Sequence, residues 1–568
     1  MTKILSSKYW WLILLAGLVL VNFLAAQFHY RIDLTSEKRY TLSAPTKALL
    51  ENLNDPVTIT VFLDGDMPAG FRQLSNASRE LLEEFKELAG TKLFIRFQRP
   101  GEGMEAEEKA AFVGYLEDSL GLKPTNVKVT AAAGEAQEER LLYAGALVTA
   151  ENGELAVDLL EGQNFAAGYE ALNNAEALLE YKFAHAIQKL TRENIPVIGY
   201  LTGNGQPLTF NVYDLIERTL RPNYAFGFVP IDSFPLLPSE FDALLMVKPT
   251  QPFTDRQKLK LDQYIMNGGK LIWLIDNLYA EMDSLIRTKS DFVAFDRGLN
   301  IEDLLFRYGA RINRDLVQDL RSDKIPLVVG NFGNEPQMEL VPWPYFPLLS
   351  PGPAHPISNN LDHILAVFPN SLDTIEVAGI RKTILLTSSA NARSLSTPAI
   401  VTLNSVQTEE DLNSFNQSAI PVAVLLEGTF SSLYSNRISR GYADSLANLY
   451  QQPFRASSPE NKMIIIADAD IVSNVFTQQE GPLPMGYNQF TGVQYANKEF
   501  LLNSIEYLVN PSGILQARSK ELTLRLLDQK KLETEKLRWQ LVNIGIPVLL
   551  VIIFGSVFQF LRKRRYGS

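Results

Sequence analysis

The sequence predicts an α/β protein: two periplasmic α/β domains, the second a doubly wound and mostly parallel sheet, lie between an N-terminal and a C-terminal transmembrane helix. Short apolar strands alternate with helical stretches, which is the pattern of parallel β-α-β units. An uncharged apolar run lies near each end of the chain. The 568 residues are more than one core normally holds, so we expect several domains.

The C-terminal apolar run, residues 541–561, is long enough to cross a bilayer. At about 1.5 Å per residue it covers the roughly 30 Å of the hydrocarbon core, and it contains no charge. Basic residues next to a membrane span resist translocation and belong on the cytoplasmic side. Residues 541–568 are therefore predicted to be a transmembrane helix with a basic cytoplasmic tail. The basic residues of that tail are Arg562, Lys563, Arg564 and Arg565.

The N-terminal apolar run, residues 9–28, is the second predicted anchor. It follows Lys3 and Lys8 and opens with an aromatic cluster that suits the headgroup level. A cleaved signal peptide is the alternative, because residues 24–26 resemble a small-residue cleavage site. The apolar run is, however, longer than the apolar core of a usual signal peptide. With residues 1–28 as tail and anchor, both termini are cytoplasmic, and the bulk of a two-pass inner-membrane protein is periplasmic.

Composition argues against several classes of function. The formal net charge of −11 disfavours a nucleic-acid partner, which would need a basic face. With no Cys, disulfides, thiolate metal sites and cysteine nucleophiles are excluded, and the four His are spaced unlike a zinc site. Neither an ATP-binding P-loop nor a G-x-S-x-G nucleophile elbow is present. We expect no cofactor and no bound metal, and binding or coupling rather than catalysis.

Residues 29–190 are predicted to form the first periplasmic domain. Ser43 is a helix cap, and the pair Asn152-Gly153 predicts a hairpin. A long helix closes the domain. Strands are expected at 57–63, 92–97, 126–130, 142–149 and 154–158, and helices at 46–53, 71–88, 105–120 and 169–190.

Residues 191–515 are predicted to form the second, doubly wound domain. Thr254 caps a helix that two glycines terminate, and residues 342–356, with six prolines, are expected to form a long, rigid, extended loop. Residues 516–540 alternate acidic and basic side chains and predict a helical stalk that transmits movement into the bilayer or only spaces the domain from it. Strands are expected at 196–201, 242–247, 270–275, 382–387, 399–403, 421–426 and 462–467.

The candidate ligand-binding residues follow the carboxyl ends of predicted parallel strands, where open α/β sheets bind ligands. The loop 203–206 either presents backbone N–H groups to an anion or only makes a tight strand-to-helix turn. A carboxylate pair after the last strand either holds a divalent cation or caps the next helix through Asp470. The candidates are Gly203, Asn204, Gly205, Gln206, Asp276, Asp468 and Asp470.

The chain resembles the auxiliary component of gliding-motility-type ABC transporters, the GldG family. The order of the shared motifs and the terminal anchors carries the resemblance over nearly the whole chain. Relatives often have a G-H-G-E-like loop, which here is Gly203-Asn204-Gly205-Gln206 and lacks the imidazole and the carboxylate. The shared motifs are Arg31-x-Asp33-Leu34-Thr35, Tyr40-Thr41-Leu42-Ser43, Gly203-x-Gly205, the block 264–276, His355-Pro356-Ile357, Asp468-Ala469-Asp470 and Asn503.

The resemblance implies a non-enzymatic, membrane-anchored periplasmic component of an ABC transporter complex associated with bacterial gliding motility. The implied partners are a multi-spanning ABC permease, a cytoplasmic ATPase subunit and inner-membrane lipid, with an extracytoplasmic substrate that the family does not identify. Such proteins are often labelled substrate-binding components. Two alternatives stay open: a periplasmic solute-binding protein for a sugar or peptide, and a metal-dependent hydrolase that uses Asp468 and Asp470.

Overall fold

The protein is described here by a computed structural model. By its internal contacts the chain divides into two compact units, Met1–Glu521 and Leu522–Ser568. The predicted first anchor, residues 9–28, lies outside the described residues apart from four positions. The structure describes residues 15, 17–19, 41–130, 137–160, 169–288, 291–332, 335–352, 355–403, 406, 408–439, 441, 446, 448, 453–519 and 529–566.

The N-terminal part of the larger unit is built on a four-stranded sheet. Its elements are α1 (Ala44–Glu51), β1 (Val57–Val61), α2 (Ala69–Ala89), β2 (Leu93–Phe97), α3 (Ala106–Gly114), β3 (Thr125–Thr130), β4 (Gln137–Leu142), β5 (Gly145–Ala150), β6 (Gly153–Asp158) and α4 (Tyr169–Thr191). The strand order is β2-β1-β5-β6, with β1 and β2 parallel and the other pairs antiparallel. Ser43 caps α1, and the predicted hairpin joins β5 to β6, as expected. Its turn residues are Glu151 and Asn152, and Gly153 already pairs with Ala150.

A ten-stranded sheet forms the centre of the larger unit, and half of it is parallel. The parallel half is built from β7 (Val197–Thr202), a π-helix (Asp214–Leu220), β8 (Ala225–Pro230), β9 (Ala243–Val247), α5 (Asp255–Met266), β10 (Lys270–Leu274) and β23 (Ser457–Ile466). Its strands lie in the order β8-β7-β9-β10-β23, all parallel. In chain order this is 2-1-3-4-5, a doubly wound arrangement. Thr254 caps α5 through a capping box.

The other half of the sheet is antiparallel, so the prediction of a mostly parallel sheet is corrected to a mixed sheet. Apolar runs such as 421–426 show that a strand is buried on both faces, but they do not encode its direction. The antiparallel strands, from the sheet edge inward, are β15 (Ser322–Phe332), β16 (Glu335–Pro351), β19 (Ile380–Thr387) and β22 (Pro421–Ser431).

The prediction of a long loop at the proline-rich segment 342–356 is also wrong. Most of this segment belongs to strand β16. Proline lacks the N–H that a central strand must donate. Here β16 pairs with β15 along one side and only briefly, at 348–351, with β17 and β19 on the other. The aromatic rings of Trp343 and Tyr345 fix the strand by packing into a second hydrophobic core.

The residues of that second core come from the part of the sequence between β10 and β22. They form a cluster separate from the core of the large sheet. The remaining elements of this stretch are β11 (Leu278–Tyr279), α6 (Met282–Thr288), β12 (Asp291–Asp296), α7 (Glu302–Tyr308), β13 (Ala310–Ile312), β14 (Asp315–Asp319), β17 (Ile364–Leu365), β18 (Leu372–Thr374), β20 (Ala392–Ser396), β21 (Ala399–Thr402) and α8 (Glu409–Asn413). After β23 come β24 (Phe476–Thr477), β25 (Gly481–Pro482), β26 (Tyr487–Asn488), β27 (Val493–Gln494), α9 (Asn497–Val509) and a 3₁₀ helix (Ile514–Ser519).

The smaller unit contains one helix, α10 (Gln529–Tyr566), among the residues described. Within it, Arg538–Arg564 has a mean hydropathy of 2.5, and it is the one helix in the described part of the chain that is long and apolar enough to cross a membrane. The predicted stalk begins in the 3₁₀ helix of the larger unit and ends in α10. Its residues 520–528 lie outside the described residues.

Helices α4 and α9 meet at a buried polar contact centred on the Glu506 carboxylate. The carboxylate accepts a hydrogen bond from the Tyr224 hydroxyl (2.9 Å) and one from the Asn510 amide (3.2 Å), and the His185 ring lies 3.9 Å away. Burial alone would raise the pKa of the Glu506 carboxyl, but the His185 ring, the Tyr224 hydroxyl and the Asn510 amide lower it to about 2.

We expect Glu506→Gln to destabilise the protein by about 2 kcal/mol near pH 7, because a depressed pKa means that the folded state favours the carboxylate. That stabilisation is present above the ordinary pKa of glutamate and is lost as the pH falls towards about 2. Urea denaturation of the full-length protein in detergent, at pH 7 and at about pH 3.5, measures it. Glu80→Gln, on the exposed face of α2, is the control. A loss that does not shrink at the lower pH would contradict this account.

Candidate functional site

Three parallel strands of the large sheet end side by side, and charged residues follow each of them. Val247 of β9 and Ile466 of β23 both pair with Leu274 of β10, so the residues after these positions come to one edge. Lys248 follows β9, Asp276 follows β10, and Asp468 and Asp470 follow β23. The structure thus brings together the three aspartates that the sequence singled out, and it adds a lysine.

The Lys248 ammonium lies at the centre of this cluster. Its Nζ atom donates to both oxygens of Asp470, at 2.7 and 2.9 Å, and to Oε2 of Glu281 at 3.1 Å. Oδ2 of Asp276 is 3.3 Å from Nζ and contacts it as an ion pair without hydrogen-bond geometry. On its other side, Glu281 is paired with Arg297 at 2.5 Å. Three carboxylates and two cations therefore share one small region.

Lys248 reaches this position through a strained backbone. Its φ is +46°, in the left-handed region that residues other than glycine rarely adopt. Such a conformation costs on the order of 1 kcal/mol and persists only where the surroundings impose it. The turn directs the side chain across the end of β10 towards Asp470, and the Lys248 side chain is left only 12% exposed. The ion pairs therefore compensate for the backbone strain.

Backbone N–H groups hold the other carboxyl groups in place. Asp468 is fully buried and accepts from the N–H of Asp470 at 2.7 Å and from that of Val367 at 2.8 Å. Oδ1 of Asp276 accepts from the N–H of Ala469 at 2.6 Å. These bonds tie the ends of β10 and β23 to each other and to the segment that leads into the second core.

Capping of a helix by Asp470 is not observed. The residues that follow form only a short 3₁₀ turn, Asp470–Val472, whose first residue makes no side-chain cap, and the Asp470 carboxylate faces Lys248 instead. Among the residues described, no group of three or more His, Asp or Glu side chains is placed to hold a metal ion.

The crowding of negative charge changes the proton affinities. Burial raises the pKa of Asp276 to about 6, with Lys248 opposing and Asp470 adding to the rise. Burial, together with the neighbouring Asp276 and Asp470, raises the pKa of Asp468 well above its ordinary value. Burial would lower the pKa of Lys248, but its carboxylate neighbours raise it well above the usual range. Lys248 is therefore a permanent cation, unsuited to act as a base or a nucleophile.

The loop 203–206 does not join this cluster, because its contacts are with the loop after β9 and with Gln257 of α5. The carbonyl of Asn204 accepts from the N–H groups of Thr250 (2.9 Å) and Gln251 (3.0 Å), and its own N–H donates to Oε1 of Gln206 at 2.8 Å. At Gly205, where φ is +75°, an added Cβ would lie 2.1 Å from the Thr250 hydroxyl. The tight turn and the close approach of the two loops account for this glycine.

The two loops thus close the point between β7 and β9 at which the strand order reverses, where doubly wound sheets bind ligands. Asn204 and Gln206 are 2% and 7% exposed and face inward, not towards an open crevice. Ligand binding by loop 203–206 or by the aspartates stays a prediction. Sequence analysis missed Lys248, Glu281 and Arg297. For Lys248, the available signal was its position directly after the apolar run 243–247.

We expect Lys248→Met to destabilise the protein by about 3 kcal/mol near pH 8, because it leaves buried carboxylates without their cation. The loss should shrink towards about pH 5, because protonation of Asp276 and Asp468, whose pKa values are raised, removes the uncompensated charge. Thermal denaturation followed by circular dichroism over this pH range measures it. Lys86→Met, at an exposed position of α2, is the control. Equal losses at both pH values would refute the proposed charge balance.

Comparison with known proteins assigns the chain to a family. A model described as an ABC-type uncharacterized transport system matches residues 195–504, more than half of the chain. A second model, Domain of unknown function (DUF7088), matches residues 36–149. No curated protein matches the sequence.

Two solved structures resemble the chain distantly. The N-terminal domain of mmIFT52 is 14% identical and has a TM-score of 0.30, with 55% of this chain and 97% of that chain covered. Exo-beta-1,4-mannosidase Op5Man5 from Opitutaceae bacterium strain TAV5 is 11% identical with a TM-score of 0.20, covering 82% and 51%. Neither likeness bears on function. The match over residues 195–504 places this chain in the family of the ABC-type uncharacterized transport system.

Proposed function

We propose that the protein is a non-enzymatic, membrane-anchored auxiliary component of an ABC transport system that couples a permease and an ATPase to an extracytoplasmic substrate or partner. The observation that carries the proposal is the family match over residues 195–504. The apolar helix Arg538–Arg564 supports the membrane anchor. The association with gliding motility rests on the resemblance of the sequence motifs alone.

The proposed topology places the folded body in the periplasm and the basic tail in the cytoplasm. Arg562, Lys563, Arg564 and Arg565 support this orientation, because clustered basic residues stay on the cytoplasmic side. The N-terminal run 9–28 is proposed as the second span.

The cluster around Lys248 supports coupling over capture of a solute. Its carboxylates are engaged by side chains and backbone groups of the protein itself, and loops 203–206 and 249–252 close on each other. A solute at these strand ends would have to displace several charge-assisted hydrogen bonds. A rigid body that is joined at its strand ends is suited to passing on a displacement.

The absence of native cysteine permits a direct test of topology. We expect Glu80→Cys in the body to react with a membrane-impermeant maleimide in spheroplasts of a bacterium that expresses the protein, and Ser568→Cys in the tail to react only after lysis. The native sequence, without a thiol, is the control for background labelling. Labelling of the tail before the body would reverse the proposed orientation.

Co-purification tests the proposed partners. Full-length tagged protein, extracted in mild detergent from cells that express it natively, should bring down a multi-spanning permease and an ATPase in amounts comparable to its own. An unrelated ABC complex from the same extract serves as the control for complex preservation. Recovery of this protein alone, while the control complex stays intact, would overturn the proposal.

A further inference from the structure

Strand β8 is the outermost strand of the parallel half, and within the described part of the chain no strand pairs with its outer side. The N–H groups of Ala225 and Ile231 donate inward, to carbonyls at the two ends of β7, at 3.0 and 2.9 Å. Along a parallel strand, successive residues direct their backbone groups to opposite sides. The N–H and C=O groups of Phe226 and Phe228 therefore face outward.

Strand β8 itself lacks the devices that usually protect a sheet edge, although the Arg221 guanidinium lies beside it, 5.2 Å from the centre of the Phe226 ring. Exposed edges are commonly blocked by charged side chains, prolines or β-bulges. The sequence of β8, AFGFVP, carries no charge, has its only proline at the last position, and pairs with β7 without a register shift. At the opposite edge of the sheet, β15 contains Asp323, Lys324, Pro326 and two register shifts. Strand β15 is thus protected against pairing with a further strand, whereas strand β8 is not.

An apolar hollow of about 260 Å³ lies directly beside this edge. Phe228 belongs to both, because its backbone faces outward and its side chain lines the hollow. Thr209 and Glu217 are the polar members of the wall. Leu208 and Phe210 are each 56% exposed, which is unusually high for large apolar residues that lie together. The apolar members of the wall are Leu208, Phe210, Val212, Tyr213, Ile216 and Phe228.

The wall of the hollow is rigid. Asn474 donates from its amide to the carbonyl of Phe210 at 2.7 Å and accepts from the N–H of Asp214 at 3.1 Å. The rings of Phe210 and Phe476 lie 4.7 Å apart. The wall continues into the π-helix Asp214–Leu220, a rare conformation that is frequently found at functional sites. The exposed rings are therefore held in place before any partner arrives.

We propose that the outer edge of β8 binds an extended segment of a partner polypeptide as an added strand, with one apolar side chain of that segment in the hollow. The unpaired backbone groups of Phe226 and Phe228 require an occupant with its own backbone donors and acceptors, which a small apolar molecule does not have. In strand addition, backbone hydrogen bonds give affinity and pockets for alternate side chains give specificity.

The size and position of the hollow suit such a side chain. A cavity of about 150 Å³ accommodates benzene, so this hollow takes one large aliphatic or aromatic side chain. The residue of the added strand opposite Phe228 would direct its side chain to the same face of the sheet as Phe228 itself. This inference goes beyond the proposed transport role and does not depend on it, since it concerns the free edge of the sheet.

Alternating peptides test the proposal with the full-length protein in lipid nanodiscs. Fluorescent peptides of about nine residues, with Leu, Phe or Trp alternating with Thr, are titrated by fluorescence polarisation. At least one should bind, and Leu208→Glu at the rim of the hollow should weaken it about tenfold or more, because a charge is placed at an apolar site. Val328→Glu, at a 60% exposed position of β15, is the matched control and should change binding less than about twofold.

Two N-methylated forms of the binding peptide separate strand addition from side-chain docking. Methylation of alternate N–H groups in one register should abolish binding, and methylation of the other set should not, because only one set faces β8. Equal binding of both forms, or no binding by any peptide up to about 1 mM, would overturn the proposal. If the protein without peptide is a dimer that Leu208→Glu dissociates, the occupant is a second copy of the chain, and the assignment to a partner polypeptide is wrong.

Discussion

One buried ammonium group, that of Lys248, holds the ends of three central strands together. Taking a cation and several carboxylates out of water costs several kcal/mol for each ion, and close pairing only just offsets this cost. The strained backbone at Lys248 adds to it. The arrangement is stable because Asp276, Glu281 and Asp470 surround the same nitrogen. Each charge of the cluster stabilises the others. Removing one of them leaves its partners buried without a counter-charge.

The same cluster joins the two hydrophobic cores of the larger unit. Val367 and Glu281 belong to the stretch that builds the second core, while Lys248 and Asp468 follow strands of the main sheet. A change in the charge of the cluster therefore acts first on the junction between the two cores. Asp276, whose pKa is raised to about 6 by burial, lies at this junction.

The sequence predicted those features that local patterns encode. The strands Val197–Thr202, Ala243–Val247 and Lys270–Leu274 were placed within a residue or two, because each is a short apolar run bounded by turn residues. The meeting of Asp276 with Asp468 followed from the rule that parallel neighbours end at one edge. Strand direction did not follow, because a strand buried on both faces has the same composition whichever way it runs.

Other features depended on contacts far apart in the chain and were beyond local patterns. The strand Glu335–Pro351 was mistaken for a loop, since its prolines are tolerated only because few neighbours pair along one of its sides. The place of β23 beside β10 has a further consequence for biogenesis. Leu274 leaves the ribosome well before Ser457, so the growing chain carries an incomplete apolar sheet for about a third of its synthesis. We expect the nascent chain to need chaperone protection until β23 has emerged, because the edge of β10 stays unpaired until then.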